Sequence, residues 1–167
     1  PRTALLEAAF HRLLDWASTE SLRKRVDEQL LSWVNFSAPN DTPPKPDGGE
    51  IIVSPATATR TGFALYYHAL SLARKNNTES NKQAESLLAW LGANMPRHPF
   101  CSRALLETAK LQIADQRKEE AILTLTQLEK SASSARLREE AGRLAARLNF
   151  EKGDFTSAAA AFLRVRS

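Results

Sequence analysis

Ala121-Ile-Leu-Thr-Leu125-Thr-Gln-Leu128 decides how this chain folds, because it recurs. An alanine, a leucine four residues on and another three further on share one face of an α-helix. Ala84, Leu88 and Leu91 show the same spacing 37 residues earlier, and Ala158, Phe162 and Val165 show it 37 residues later. A period in the thirties with two helices per unit is the signature of stacked helix pairs.

The helices preceding these three align as well. Leu65-x-x-His68-Ala69, Leu105-x-x-Thr108-Ala109 and Gly142-x-x-Ala145-Ala146 each place a small residue in mid-helix, where it lets a paired helix approach closely. Here the chain resembles the tetratricopeptide-repeat family over about residues 60–167. The second-helix pattern of Ala followed four residues later by Leu or an aromatic is met three times. Pro96 matches the family's helix-ending proline, and Gly153-Asp154-Phe155 looks like its turn before Ala158. The early first-helix Trp is absent, Leu72, Gln112 and Asn149 stand where the family has Tyr, and the period is 37 rather than 34. The unit holding Ala84 needs three extra residues, placed in its turn around Asn76–Asn81.

The resemblance implies an all-α fold, a right-handed α-solenoid of antiparallel pairs at about 58–96, 99–131 and 134–167. Helices are expected near 58–75, 79–95, 99–114, 117–131, 134–152 and 154–166. Ser80 with Gln83 has capping-box spacing, and Asp154 after Gly153 can cap the last helix. Residues 1–36 read as an N-terminal helix pair, a cap or a degenerate repeat. Ala4, Leu5, Ala8, Leu13 and Trp16 form one apolar side of the first helix; Leu22, Val26, Leu30 and Trp33 form that of the second, with Ser18 or Thr19 as its cap. Between pair and repeats, 37–57 is a Pro/Gly-rich linker or long loop. Its Ile51-Ile52-Val53 reads as an extended anchor onto the helices, or as a strand-like segment in the protein's own groove.

Composition agrees with helices. Six glycines in 167 residues, two of them paired at Gly48-Gly49, are too few for an all-β fold. The net charge of +4 is spread among alternating acids and bases, without the long basic run that tracks a phosphate backbone. Cys101 is the only cysteine, so no internal disulfide forms. No apolar run approaches the ~20 residues that span a bilayer. A start at Pro1 rather than Met suggests a piece of a longer chain, whose targeting segment would be invisible; cytoplasm and periplasm both stay open. The chain ends as its third pair closes, which suggests truncation or a partner covering the last apolar face.

Nothing points to catalysis, a cofactor or a metal. His11, His68 and His98 lack ligand spacing with Cys101, and His68 falls on a helix-pair interface. Glu119-Glu120 and Glu139-Glu140 diverge from adjacent helix positions. The expectation is a non-enzymatic scaffold that binds a protein or peptide. In the family the first helices line a concave groove, and the resemblance places Phe63, Tyr66, Leu70, Arg103, Leu106, Lys110, Arg143 and Arg147 on it, aromatic at one end and basic at the other. An acidic partner with an apolar anchor suits such a groove, since Arg pairs carboxylates bidentately. The alternatives are an oligomerisation module stacking through terminal helices and, behind it, a helical-repeat nucleic-acid binder. The latter is not expected, because Tyr66 and Tyr67 lie away from Arg143 and Arg147.

Overall fold

The computed structural model describes residues 2–17, 19–34 and 55–166, with side-chain surroundings for 8–17, 19–32 and 61–164. Every regular element among them is an α-helix: α1 (Arg2–Trp16), α2 (Glu20–Val34), α3 (Pro55–Ala73), α4 (Thr78–Asn94), α5 (Cys101–Ala114), α6 (Lys118–Ser131), α7 (Ala135–Glu151) and α8 (Phe155–Arg166). The expected loop at 37–57, with Ile51–Val53, lies outside the described residues except at its end. There α3 begins at Pro55 instead of near 58, since a proline in a helix's first turn loses only an N–H that has no partner anyway. None of the described helices is long and apolar enough to cross a membrane. Contacts divide the chain within α4 into two units, Pro1–Leu87 and Leu88–Ser167.

In the first unit α1 packs on α2 and α2 on α3. Val26 and Leu30 are buried on α2 along the expected stripe. On α1 the expected side is corrected: Ala8, Leu13 and Trp16 are exposed, while Phe10, Leu14 and Ala17 are buried. Both stripes carry a large ring, and contact with α3 decides which one turns inward: Phe10 stacks on Tyr67 at 4.6 Å and 16°, whereas Trp16 is left 66% exposed. Residues 61–69 of α3, without a single charge unless His68 is protonated, are all buried. A helix apolar on every side belongs in a core. The Leu22 N–H donates to Thr19 Oγ1 at 3.3 Å, which makes Thr19 the cap of α2.

The turn before α4 also differs from expectation. The Ser80 N–H donates to Asn77 Oδ1 at 2.9 Å, so Asn77 is the cap in place of Ser80. The three extra residues of this unit lengthen the helix more than the turn: α4 has 17 residues where α6 has 14, while the turn at 74–77 is one residue longer than that at 115–117.

In the second unit α5 packs on α6, α6 on α7 and α7 on α8, and α5 also reaches α7. Leu106, Ala109, Ala121, Leu125, Leu128, Ala141, Ala145 and Leu148 form one core from α5, α6 and α7. The 37-residue period of the sequence reappears in the backbone. The Arg117 N–H donates to the Gln112 carbonyl at 2.8 Å, and the Asp154 N–H to the Asn149 carbonyl at 2.9 Å. The Gln116 N–H reaches Ile113 and the Gly153 N–H reaches Phe150, both at 3.0 Å. These are the paired bonds of a Schellman helix end, made twice. Asp154 then caps α8, its Oδ1 accepting from the Ser157 N–H at 3.0 Å.

Candidate functional site

Helix α7 has two working faces. Ala141, Ala145 and Leu148 point into the core of the second unit. Glu140, Arg143, Leu144, Arg147 and Phe150 recur at three- and four-residue steps on another side and, with Phe162 of α8, line an open pocket of about 650 Å³. Phe150 is 61% exposed and Phe162 49% exposed. Phe155 meets Phe150 edge-on at 5.3 Å, and Leu163 is exposed nearby in sequence on α8. Large apolar side chains gathered in the open are what interaction surfaces consist of.

The charges around the pocket are loosely held on one side and firmly on the other. Arg143 lies 3.7 Å from Glu139, and Arg147 lies 3.7 Å from Glu151, each pair exposed and one helical turn apart. Such exposed pairs are screened by water and hold the guanidinium groups only weakly. Glu151 already accepts from Lys118 Nζ at 2.9 Å, and that hydrogen bond holds its carboxyl below the ordinary glutamate value. Glu140 is engaged by Lys110 of α5 at 3.5 Å, and Lys110 also donates to Glu107 at 3.0 Å. Burial pulls the Lys110 ammonium down, but the Glu107 hydrogen bond and the two carboxylates outweigh it and raise its pKa. Lys110 therefore stays a cation and ties α5 to α7. The pocket offers two guanidinium forks, both able to turn toward an incoming carboxylate, beside three apolar side chains.

The eight residues expected on the concave groove fall in different surroundings. In the first unit Phe63 and Tyr66 are buried, Tyr66 edge-on to Tyr67 at 5.3 Å, and Leu70 is half-buried. Phe63 and Tyr66 are corrected from an open groove to core positions, because they fall in the stretch of α3 that is buried on every side. In the second unit Leu106 is likewise core, packed with Ala109 and Leu125. Arg103 is half-buried with its guanidinium 5.0 Å from the Phe100 ring, a cation–π contact. Lys110 is partly exposed and spent on its two glutamates. Arg143 and Arg147 are the two of the eight that line the pocket together. The sequence reading passed over Leu144, Phe150 and Phe162, although the 37-residue step already set Phe162 in register with Leu125.

In the first unit a second polar group lies deep. Asp27 Oδ1 is 3.3 Å from His68 Nδ1, both residues are buried, and Lys75 Nζ lies 3.8 Å from the other carboxylate oxygen. Burial would raise the Asp27 pKa, but hydrogen bonds from His68 and Ser71 and the charges of His68 and Lys75 overcome it and leave it lowered. His68 thus packs at a helix interface and fastens α3 to α2. Among the described residues no group of three or more His, Cys, Asp or Glu side chains converges as a metal site would require. Set against known protein families, curated proteins and solved structures, the chain matches none of them.

Proposed function

We propose that this chain is a non-enzymatic protein-recognition scaffold of tetratricopeptide-like helix pairs, which binds a protein or peptide partner through its exposed helix faces. The observation that carries the reading is the pocket on α7 and α8, where Arg143 and Arg147 stand beside exposed Phe150 and Phe162. Arg and aromatic residues are the types that concentrate binding energy at protein interfaces. The chemistry of the pocket suits holding over bond-making. Arg is not an acid or base at neutral pH, and Glu140 is already engaged by Lys110. Two features support the solenoid reading, namely the contact of α5 with α7 across the intervening α6 and the turn made twice at a 37-residue step.

The test is affinity capture from a lysate of the source organism at moderate salt, comparing the wild type with the double variant Arg143→Glu plus Arg147→Glu. A protein held by the wild type and lost by the variant supports recognition through this pocket. Equal capture by both keeps recognition but moves its surface elsewhere. Capture by neither, with a mass in solution that rises with concentration, replaces the reading with a self-assembling module.

A further inference from the structure

The second unit contains an occupied version of its own open pocket. Stepping back 37 residues from Arg143, Arg147, Phe150 and Phe162 leads to Leu106, Lys110, Ile113 and Leu125 on α5 and α6. Those four residues are the seat on which α7 lies. Leu106 and Leu125 share a buried core with Ala141, Ala145 and Leu148 of α7, Ile113 packs against that core, and Lys110 reaches Glu140 of α7 at 3.5 Å. The turns that join each pair are the same in their hydrogen bonds, so the correspondence is geometric as well as sequential.

We infer that the groove between α7 and α8 is a seat for an amphipathic helix of a partner protein, bound as α7 is bound by α5 and α6. The inference rests on the recognition reading above and specifies its ligand. The occupant has small and apolar residues along one face, as α7 has Ala141, Ala145 and Leu148, and a carboxylate where α7 has Glu140. That carboxylate meets Arg147, which stands in the place of Lys110. A second carboxylate one turn away meets Arg143, which stands where the inner seat has only Leu106.

The differences between the two seats favour a separate partner over a permanently docked helix. From inner to outer seat, Leu106 becomes Arg143, Lys110 becomes Arg147, Ile113 becomes Phe150 and Leu125 becomes Phe162. These four changes run toward Arg and aromatic residues, which are enriched where proteins meet, while the other two lining residues, Glu140 and Leu144, stand where α5 has Arg103 and Glu107. Two guanidinium groups also let the outer seat stay wetted while empty, where the inner seat has a single ammonium, that of Lys110, already spent on Glu107 and Glu140.

The experiment selects from a displayed library of amphipathic helices of 17 residues, the length of α7, against the full chain. Survivors are then measured by binding titration against three forms: wild type, Arg143→Glu plus Arg147→Glu, and Phe162→Ser. Circular dichroism of each variant establishes that it is folded. The expected result is enrichment of helices bearing two acidic residues at i, i+4 beside an apolar stripe. Binding should weaken at least tenfold in each variant, and amide shifts of labelled protein should cluster on α7 and α8. No enrichment, enrichment without acidic residues, or binding unchanged in both variants overturns the inference. So does a wild type that dimerises through these residues, which makes a second copy the occupant. A partner captured from lysate that binds as an extended peptide or on another face overturns this inference alone and leaves the scaffold reading standing.

Discussion

Gln116 and Gly153 hold the same left-handed turn, at φ 62° and 82°, 37 residues apart at the ends of α5 and α7. Glycine takes this conformation freely, whereas a residue with a Cβ is strained there by about 1 kcal/mol. Gln116→Gly is therefore expected to stabilise the chain, by somewhat less than that because glycine also loosens the unfolded state. Gly153→Ala should cost about 1 kcal/mol although open space surrounds the position. Urea unfolding of both variants checks the pair, and equal signs for the two changes would contradict it.

Leu125 and Phe162 give an opposite comparison, one repeat position in two environments. Leu125 is fully buried under α7, and Phe162 is half exposed. Leu125→Ala is expected to remove about 3 kcal/mol of stability, the usual cost of emptying a leucine site in a core. Phe162→Ala should cost the isolated chain under about 1 kcal/mol, since little of its contact area is lost. Thermal melts read both, and a Phe162→Ala loss as large as that of Leu125→Ala would mean the ring belongs to the core.

Much of the architecture was legible in the sequence because helices announce themselves by spacing. The 37-residue recurrence of Ala121, Leu125 and Leu128 fixed the helix positions of the second unit, and the Gly153-Asp154 turn fixed the start of α8. What spacing does not report is which of two apolar stripes turns inward. On α1 both stripes were available, and the contact of Phe10 with Tyr67, 57 residues away in sequence, selects one. The same blindness put Phe63 and Tyr66 on a surface. Family analogy assigns helix faces by position, but the absence of charged side chains from residues 61–69 was the better guide to burial. The pocket was half visible: Arg143 and Arg147 came from alignment, whereas Phe150 and Phe162 required asking what each repeat position covers.

Phe10 and Tyr67 lend themselves to a double-mutant cycle. Each ring buried from water contributes about 2 kcal/mol, and a stacked pair adds about 1 kcal/mol beyond that. Phe10→Ala and Tyr67→Ala should therefore cost less together than the sum of their separate costs, by about 1 kcal/mol. Additive costs, measured by chemical denaturation, would show that the two rings are merely neighbours.

The Asp27–His68 pair makes the stability of the first unit depend on acidity. An aspartate carboxylate only accepts, so His68 must donate from Nδ1, across 3.3 Å. The folded Asp27 pKa is lowered: burial works against this, and the His68 and Ser71 hydrogen bonds with the Lys75 charge prevail. As pH falls, the unfolded carboxyl takes up a proton first, at about pH 4, and acid then favours the unfolded chain. The contribution of Asp27 is thus complete above that value and is lost as pH drops through the lower folded one. Asp27→Asn should destabilise at pH 7 by about 1–3 kcal/mol, since the amide still accepts from His68 but takes the charge out of a buried hydrogen bond and away from Lys75. The gap between wild type and variant should narrow as the medium is taken toward about pH 3. Urea melts of both proteins at a series of pH values measure the gap, and one that stays constant across the acid range would show that the carboxylate charge contributes nothing to holding α3 on α2.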